Sequence, residues 1–84
     1  MDIRNTIRHY VLENFLFTDD ESKLKDDDSF LARGIIDSVG ALEIAAFLEE
    51  SFGIKVHDDE LLPENLDSVS NLVAYVGRKQ PQPA

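Results

Sequence analysis

The sequence predicts an all-α fold: a small four-helix bundle of three main helices and one short helix, with a long first loop. Three observations lead there. Apolar residues recur at spacings of three and four in three separate segments, which is helical periodicity. The one alternating stretch, Ile54-Lys55-Val56-His57, is four residues long and has no partner elsewhere to pair with as a strand. The chain has 84 residues, enough for one hydrophobic core and not for two. A single domain over residues 1–80 is expected, with residues 81–84, Pro-Gln-Pro-Ala, as a flexible tail.

The first helix is expected from about Asp2 to Leu16. Ile3, Ile7, Val11 and Phe15 recur every four residues, and Asp2 complements the helix dipole at its start. The stretch from Phe17 to Ile36 is polar and rich in acid, through Asp19, Asp20, Glu21, Asp26, Asp27 and Asp28, and reads as a solvated loop. Within it Ser29 can cap a turn through Phe30, Leu31, Ala32 and Arg33, and Gly34 suits the left-handed position that ends such a turn. Phe30 and Leu31 are expected to pin this loop to the core.

The second helix starts at Asp37 or Ser38, both good N-caps, and stops at Gly53. Its apolar residues mark two faces: Ile44, Phe47, Leu48 and Phe52 on one, Val39, Leu42 and Ala46 on the other. A helix of this kind buries both faces or keeps one for a partner or ligand. Asp58 to Leu62 is expected to form a short helical turn halted by Pro63. Ser68 caps the last helix, whose stripe is Val69, Leu72, Val73 and Val76; Gly77 is expected to end it, with Arg78 and Lys79 at its negative end.

Composition excludes several functions. Asp plus Glu number 17 against 8 Lys plus Arg, for a formal net charge of -9, so no nucleic-acid partner is expected. A basic protein surface is the partner such a charge attracts. The absence of cysteine removes disulfides, CxxC redox pairs and thiolate zinc sites. No secretory h-region follows the N-terminus, and the longest strongly apolar stretch, Ile44 to Leu48, is far too short to span a bilayer. No membrane partner is expected, and the cytoplasm is the default location.

The catalytic inventory is thin, and no enzyme is expected. His9 and His57 are the only histidines, and neither has a second histidine at ligand spacing. An EF-hand loop counted from Asp26 needs glycine at its sixth position and meets Leu31. No GxSxG, P-loop or Ser-His-Asp ordering is present, so no metal and no nucleophilic centre is predicted. Gly34-Ile35-Ile36-Asp37-Ser38 remains. Taken alone, Asp37-Ser38 reads first as a plain helix cap, a very common arrangement; the functional reading is a serine whose attached phosphate would sit where free N–H groups and the helix dipole favour negative charge.

Here the chain resembles a known family. Gly34-Ile35-Ile36-Asp37-Ser38 is similar to the Asp-Ser attachment motif of acyl carrier proteins. Leu42-Glu43-Ile44 and Leu48-Glu49-Glu50-Ser51-Phe52-Gly53-Ile54 resemble the body and end of their second helix, and Pro63-Glu64-Asn65-Leu66-Asp67-Ser68-Val69 resembles the approach to their last. The likeness spans about Ile3 to Val76. It implies that Ser38, supported by Asp37, receives 4'-phosphopantetheine from coenzyme A through a separate Mg-dependent phosphopantetheinyl transferase. The thiol of that arm then carries acyl or aminoacyl cargo as a thioester. It also implies that loading and processing enzymes with basic docking patches meet Val39, Leu42, Glu43, Ala46, Glu49 and Glu50, and that the chain works as a monomer. No Lys or Arg lies between Asp37 and Phe52 to offset these acids. Phe30, Leu42, Ala46, Leu62 and Val69 are candidate cavity residues, with small Ala45 and Ala46 leaving room.

Two positions depart from the family pattern: Val39 stands where Leu is common, and Gly40 where an acid is frequent. The departure at Gly40 removes one recognition charge. Fatty-acid, polyketide and specialised lipid or aminoacyl pathways therefore all stay open, and Asn65 in Pro-Glu-Asn is similar to carriers of aminoacyl groups. The competing reading is a small acidic helical adaptor that never carries a prosthetic group.

Overall fold

In a computed structural model describing residues 2–80, four α-helices form the bundle, and none of the described residues is in a strand. The expected tail at residues 81–84 lies outside the described residues. Helix α1 spans Ile3–Val11, and the Asp2 carboxylate caps it by accepting the Asn5 N–H at 3.3 Å. The chain then widens into a π-helical turn, Leu12–Leu16, so the extent of the first helix is as expected but its last turn is not regular α. Phe17 closes this turn in the left-handed conformation, φ 54°, donating its N–H to the Leu12 carbonyl.

The first loop is more than a solvated connector. Arg8, 4% exposed, donates from one guanidinium nitrogen to Asp26 at 2.8 Å and from the other to the Glu21 carbonyl at 2.8 Å. Arg4 shares the Asp26 carboxylate. The Ser70 hydroxyl donates to Asp27 at 2.9 Å, and the Ser70 N–H to the Asp26 carbonyl at 2.9 Å. Acids expected only to solvate the loop thus fasten it to the first and last helices, because a buried guanidinium must find charged partners. A single 3₁₀ turn, Glu21–Lys23, is capped by Asp20.

The Ser29 turn forms as expected: its hydroxyl oxygen accepts the Ala32 N–H at 3.1 Å, and Gly34 has φ 68°. Only Phe30 pins the loop, however. Phe30 is fully buried, whereas Leu31 is 51% exposed, since consecutive residues in a tight turn cannot both face the core.

Helix α2, Ser38–Phe52, starts at the Asp37 cap and ends at Gly53 with φ 67°. Ile44, Ala45 and Leu48 are buried, and Phe47 and Phe52 are half-buried. Phe47 stacks on Tyr10, ring centroids 3.8 Å apart. The other expected face stays outside: Val39 is 62% exposed, Leu42 57%, and Ala46 is exposed. Ala45 therefore fills a helix contact and Ala46 faces solvent, so neither opens an internal space.

Beyond Gly53, Ile54 is buried in irregular chain and no strand forms. The short fourth helix is displaced from its expected place. Asp58–Glu60 makes only a 3₁₀ turn, and Pro63 begins helix α3, Pro63–Leu66, at its first position, where a missing N–H costs nothing. Helix α4, Val69–Lys79, is capped by the Ser68 hydroxyl, which accepts the Asn71 N–H at 3.0 Å. Gly77 does not end it. Lys79 reaches Glu60 at 2.8 Å and Arg78 reaches Asn65 at 2.9 Å, and these contacts hold the last turn helical past the glycine. The α4 stripe also includes Tyr75, 1% exposed, whose hydroxyl donates to Glu60 at 3.2 Å. Among the described residues no helix is long and apolar enough to cross a membrane.

Candidate functional site: the start of the second helix

The segment that delivers Ser38 is held from behind. The Asp67 carboxylate accepts the Ser29 hydroxyl and the Leu31 N–H, the latter at 2.9 Å, and the Asp67 carbonyl accepts the Phe30 N–H at 2.8 Å. This clip joins the 29–34 turn to the junction of α3 and α4. Ile36, 8% exposed, then anchors the chain one residue before the cap.

Asp37 accepts the Gly40 N–H on its carboxylate at 2.9 Å and the Ala41 N–H on its carbonyl at 3.0 Å. Ser38 is the first residue of α2 and is exposed. Among the described residues nothing hydrogen-bonds its hydroxyl. The Ser38 and Val39 N–H groups have no intrahelical acceptor, as at any helix start, so positive partial charge faces the serine oxygen. A phosphoryl group on that oxygen fits the site: it would meet N–H donors on one side and solvent on the other.

An open groove of about 410 Å³ runs beside the serine. Ala41 and Leu42 of α2 line it together with Leu61, Leu62, Leu66, Leu31 and Asp67. Of the five expected cavity residues, Leu42 and Leu62 line this groove. Phe30 and Val69 lie in the core at 0% exposure and do not, because they hold the bundle together. Ala46 lies outside it too, and Ala41 supplies the small wall instead.

Val39, Leu42, Glu43, Ala46 and Glu50 are all exposed on α2. Glu49 is placed differently: its carboxylate accepts the Val56 N–H at 2.9 Å and lies 4.0 Å from Lys55 Nζ. It fastens the segment after α2 and stands at the edge of the exposed face. Gly40 is buried, and a Cβ there would lie 3.0 Å from the Ile36 Cβ and 3.2 Å from the Phe15 ring. The glycine at this position therefore reflects close packing. His9 and His57 are exposed, and no group of three potential ligands gathers among the described residues.

Sequence reasoning missed Asp67, Arg8 and Tyr75. Their partners lie up to 38 residues away in the chain, so no local spacing marks them.

An exposed serine at a capped helix start, on a four-helix bundle with an apolar groove beside it, is an arrangement able to carry a covalently attached group. Residues 11–76 match the sequence pattern of the phosphopantetheine attachment site family, and the chain belongs to that family. Its cofactor is a covalently attached 4'-phosphopantetheine. The chain is 34% identical over 76 residues to a D-alanyl carrier protein of Streptococcus suis (strain 05ZYH33), covering 90% of this chain and 92% of that one. It is 36% identical over 77 residues to D-alanyl carrier proteins of Streptococcus uberis (strain ATCC BAA-854 / 0140J) and Streptococcus pyogenes serotype M5 (strain Manfredo), covering 89% of this chain and 96% of each relative.

Proposed function

We propose that Ser38 bears the phosphopantetheine arm and that the cargo is an aminoacyl group, D-alanine, handed between enzymes in the cytoplasm. The observation that carries the attachment site is the Ser38 hydroxyl: exposed, without a hydrogen-bond partner among the described residues, at the first position of a helix whose cap is Asp37. The cargo rests on the D-alanyl carrier relatives. The arm, when bound, supplies the thiol that holds the cargo as a thioester.

The chain's own residues present and release; they do not catalyse. Asp37 fixes the helix start, so that Ser38 and its neighbouring N–H groups keep one geometry. Leu42 and Leu62 offer apolar surface beside the serine. Val39, Leu42 and Ala46 give apolar contacts flanked by Glu43 and Glu50, with Glu49 at the margin. A surface of this kind docks basic enzyme patches quickly and weakly, with strong sensitivity to salt. The partners are a phosphopantetheinyl transferase and a loading enzyme that activates the D-alanine carboxyl group.

The test is sequential loading. Incubation with a broad transferase and coenzyme A should add the mass of one arm. A D-alanine-activating enzyme and ATP should then add one alanyl group, removable by hydroxylamine. No arm under these conditions would favour the adaptor reading. An arm that takes no D-alanine would exclude the cargo alone.

A further inference from the structure

A second groove, of about 540 Å³, lies on the other side of the helix start, between the end of the first helix and the first turns of α2. Phe15, Ile36 and Gly40 line it together with Phe17, Val39 and Glu43. Phe17 is unusual in two ways. It is 83% exposed, the most exposed large apolar side chain described, and it holds φ 54°, a region that a bulky residue rarely adopts. Glycine or asparagine would close the helix there with less strain. A side chain that is unfavourable to the fold at both its backbone and its surface is one whose use lies outside the fold.

We propose that this groove, with Phe17 on its rim, is a docking site for the enzyme that modifies Ser38. The inference rests on the carrier reading above and extends the recognition surface from α2 to the end of the first helix. Two arguments fix the occupant. The groove is lined by both chain neighbours of Ser38, Asp37 and Val39, so an enzyme delivering a group to that hydroxyl covers it. Its charge is also one-sided. Asp37 and Glu43 line it, no Lys or Arg does, and Asp19 and Asp20 follow Phe17 in the chain. Arg4, Arg8, Arg33, Lys55 and Lys79 are each paired with other acids elsewhere on the molecule. The groove therefore matches an enzyme surface that places an apolar side chain between lysines or arginines.

The probe is a broad-specificity phosphopantetheinyl transferase with coenzyme A, acting on the full chain and read by intact mass. Phe17→Gly and Phe17→Asn suit the left-handed backbone, so both should keep or raise the melting temperature. Both should lower kcat/KM for arm transfer about tenfold, mainly through KM, as expected for loss of an aromatic anchor. The loss should persist at high salt, where the effect of Glu43→Lys is screened. A kcat/KM within twofold of the unaltered chain in both variants would overturn the proposal. So would a fall in melting temperature that accounts for the loss, since Phe17 would then serve the fold. Failure of the unaltered chain to gain an arm would instead remove the carrier reading.

Discussion

Gly40 sits beneath Phe15. A Cβ at residue 40 would stand 3.2 Å from a Phe15 ring carbon, and the Ile36 Cβ would be closer still at 3.0 Å. At this point the first turn of the serine-bearing helix therefore packs closely against Ile36 and the Phe15 ring. The glycine breaks the helix preference of its position, and the close approach is the reason. Gly40→Ala gains about 1 kcal/mol of helix propensity. It forces an overpacking cost of about 1–3 kcal/mol against Ile36, whose Cβ cannot swing away. Net destabilisation of about 1 kcal/mol is expected by chemical denaturation, with Gly40→Glu worse. A more stable Gly40→Ala would show that the contact yields.

Removal of the Asp67 clip should loosen the approach to Ser38. Asp67→Ala leaves the Ser29 hydroxyl and the Leu31 N–H without acceptors, at a cost of about 1–3 kcal/mol. Amide exchange should accelerate first at Leu31 and at Ala32, whose acceptor is the Ser29 hydroxyl, before α1 or α4 opens. Uniform acceleration across the bundle would mean that the clip holds the whole fold and not this turn.

Acid should unfold the protein through particular carboxylates. The Lys79 ammonium, with the His57 N–H and the Tyr75 hydroxyl, holds Glu60 at about 2 against an ordinary 4.5. Arg4 and then Arg8 hold Asp26 low, and the Lys25 N–H with Arg33 holds Asp28 low. A group depressed in the folded state contributes its stability fully above its unfolded value and loses it as pH falls through the folded value. Melting temperature should therefore hold near neutral pH and fall between about 4.5 and about 2. Glu60→Gln should melt lower at pH 7 and show a shallower acid slope. An unchanged slope would remove Glu60 from the account.

Charge reversal on α2 should slow docking. Each exposed acid contributes only about 0–1 kcal/mol to any single pair. Glu43→Lys with Glu50→Lys changes the field of a face that holds no base, and should cut the association rate with the transferase about tenfold at low salt. The difference should shrink at high salt. Stopped-flow binding at two ionic strengths measures this. Equal rates at low salt would move the docking face elsewhere.

What could be read from the sequence was what local chemistry decides. The caps at Asp37 and Ser68, the stop at Gly53 and the Ser29–Gly34 turn each follow from a side chain and a backbone group a few residues apart. The position of Ser38 at the start of α2 was legible for the same reason, and so was the exposed second face of that helix. Gly77 was misread because Lys79 and Arg78 hold the helix end from distant partners, which outweighs a glycine's local preference to stop. The anchoring of the acidic loop was not legible, because the burial of Arg8, which draws Glu21 and Asp26 inward, is set by packing between distant segments. Pro63 has two local meanings, a stop or a start, and only packing chooses between them.

The central claim is that Ser38 is the arm-bearing residue. The most direct measurement is intact mass, followed by peptide mapping, after incubation with a phosphopantetheinyl transferase and coenzyme A. The account predicts a gain of one arm, located on the peptide containing Ser38 and absent in Ser38→Ala, which should fold and melt like the unaltered chain. An arm still gained by Ser38→Ala, or mapped to another serine, would contradict it.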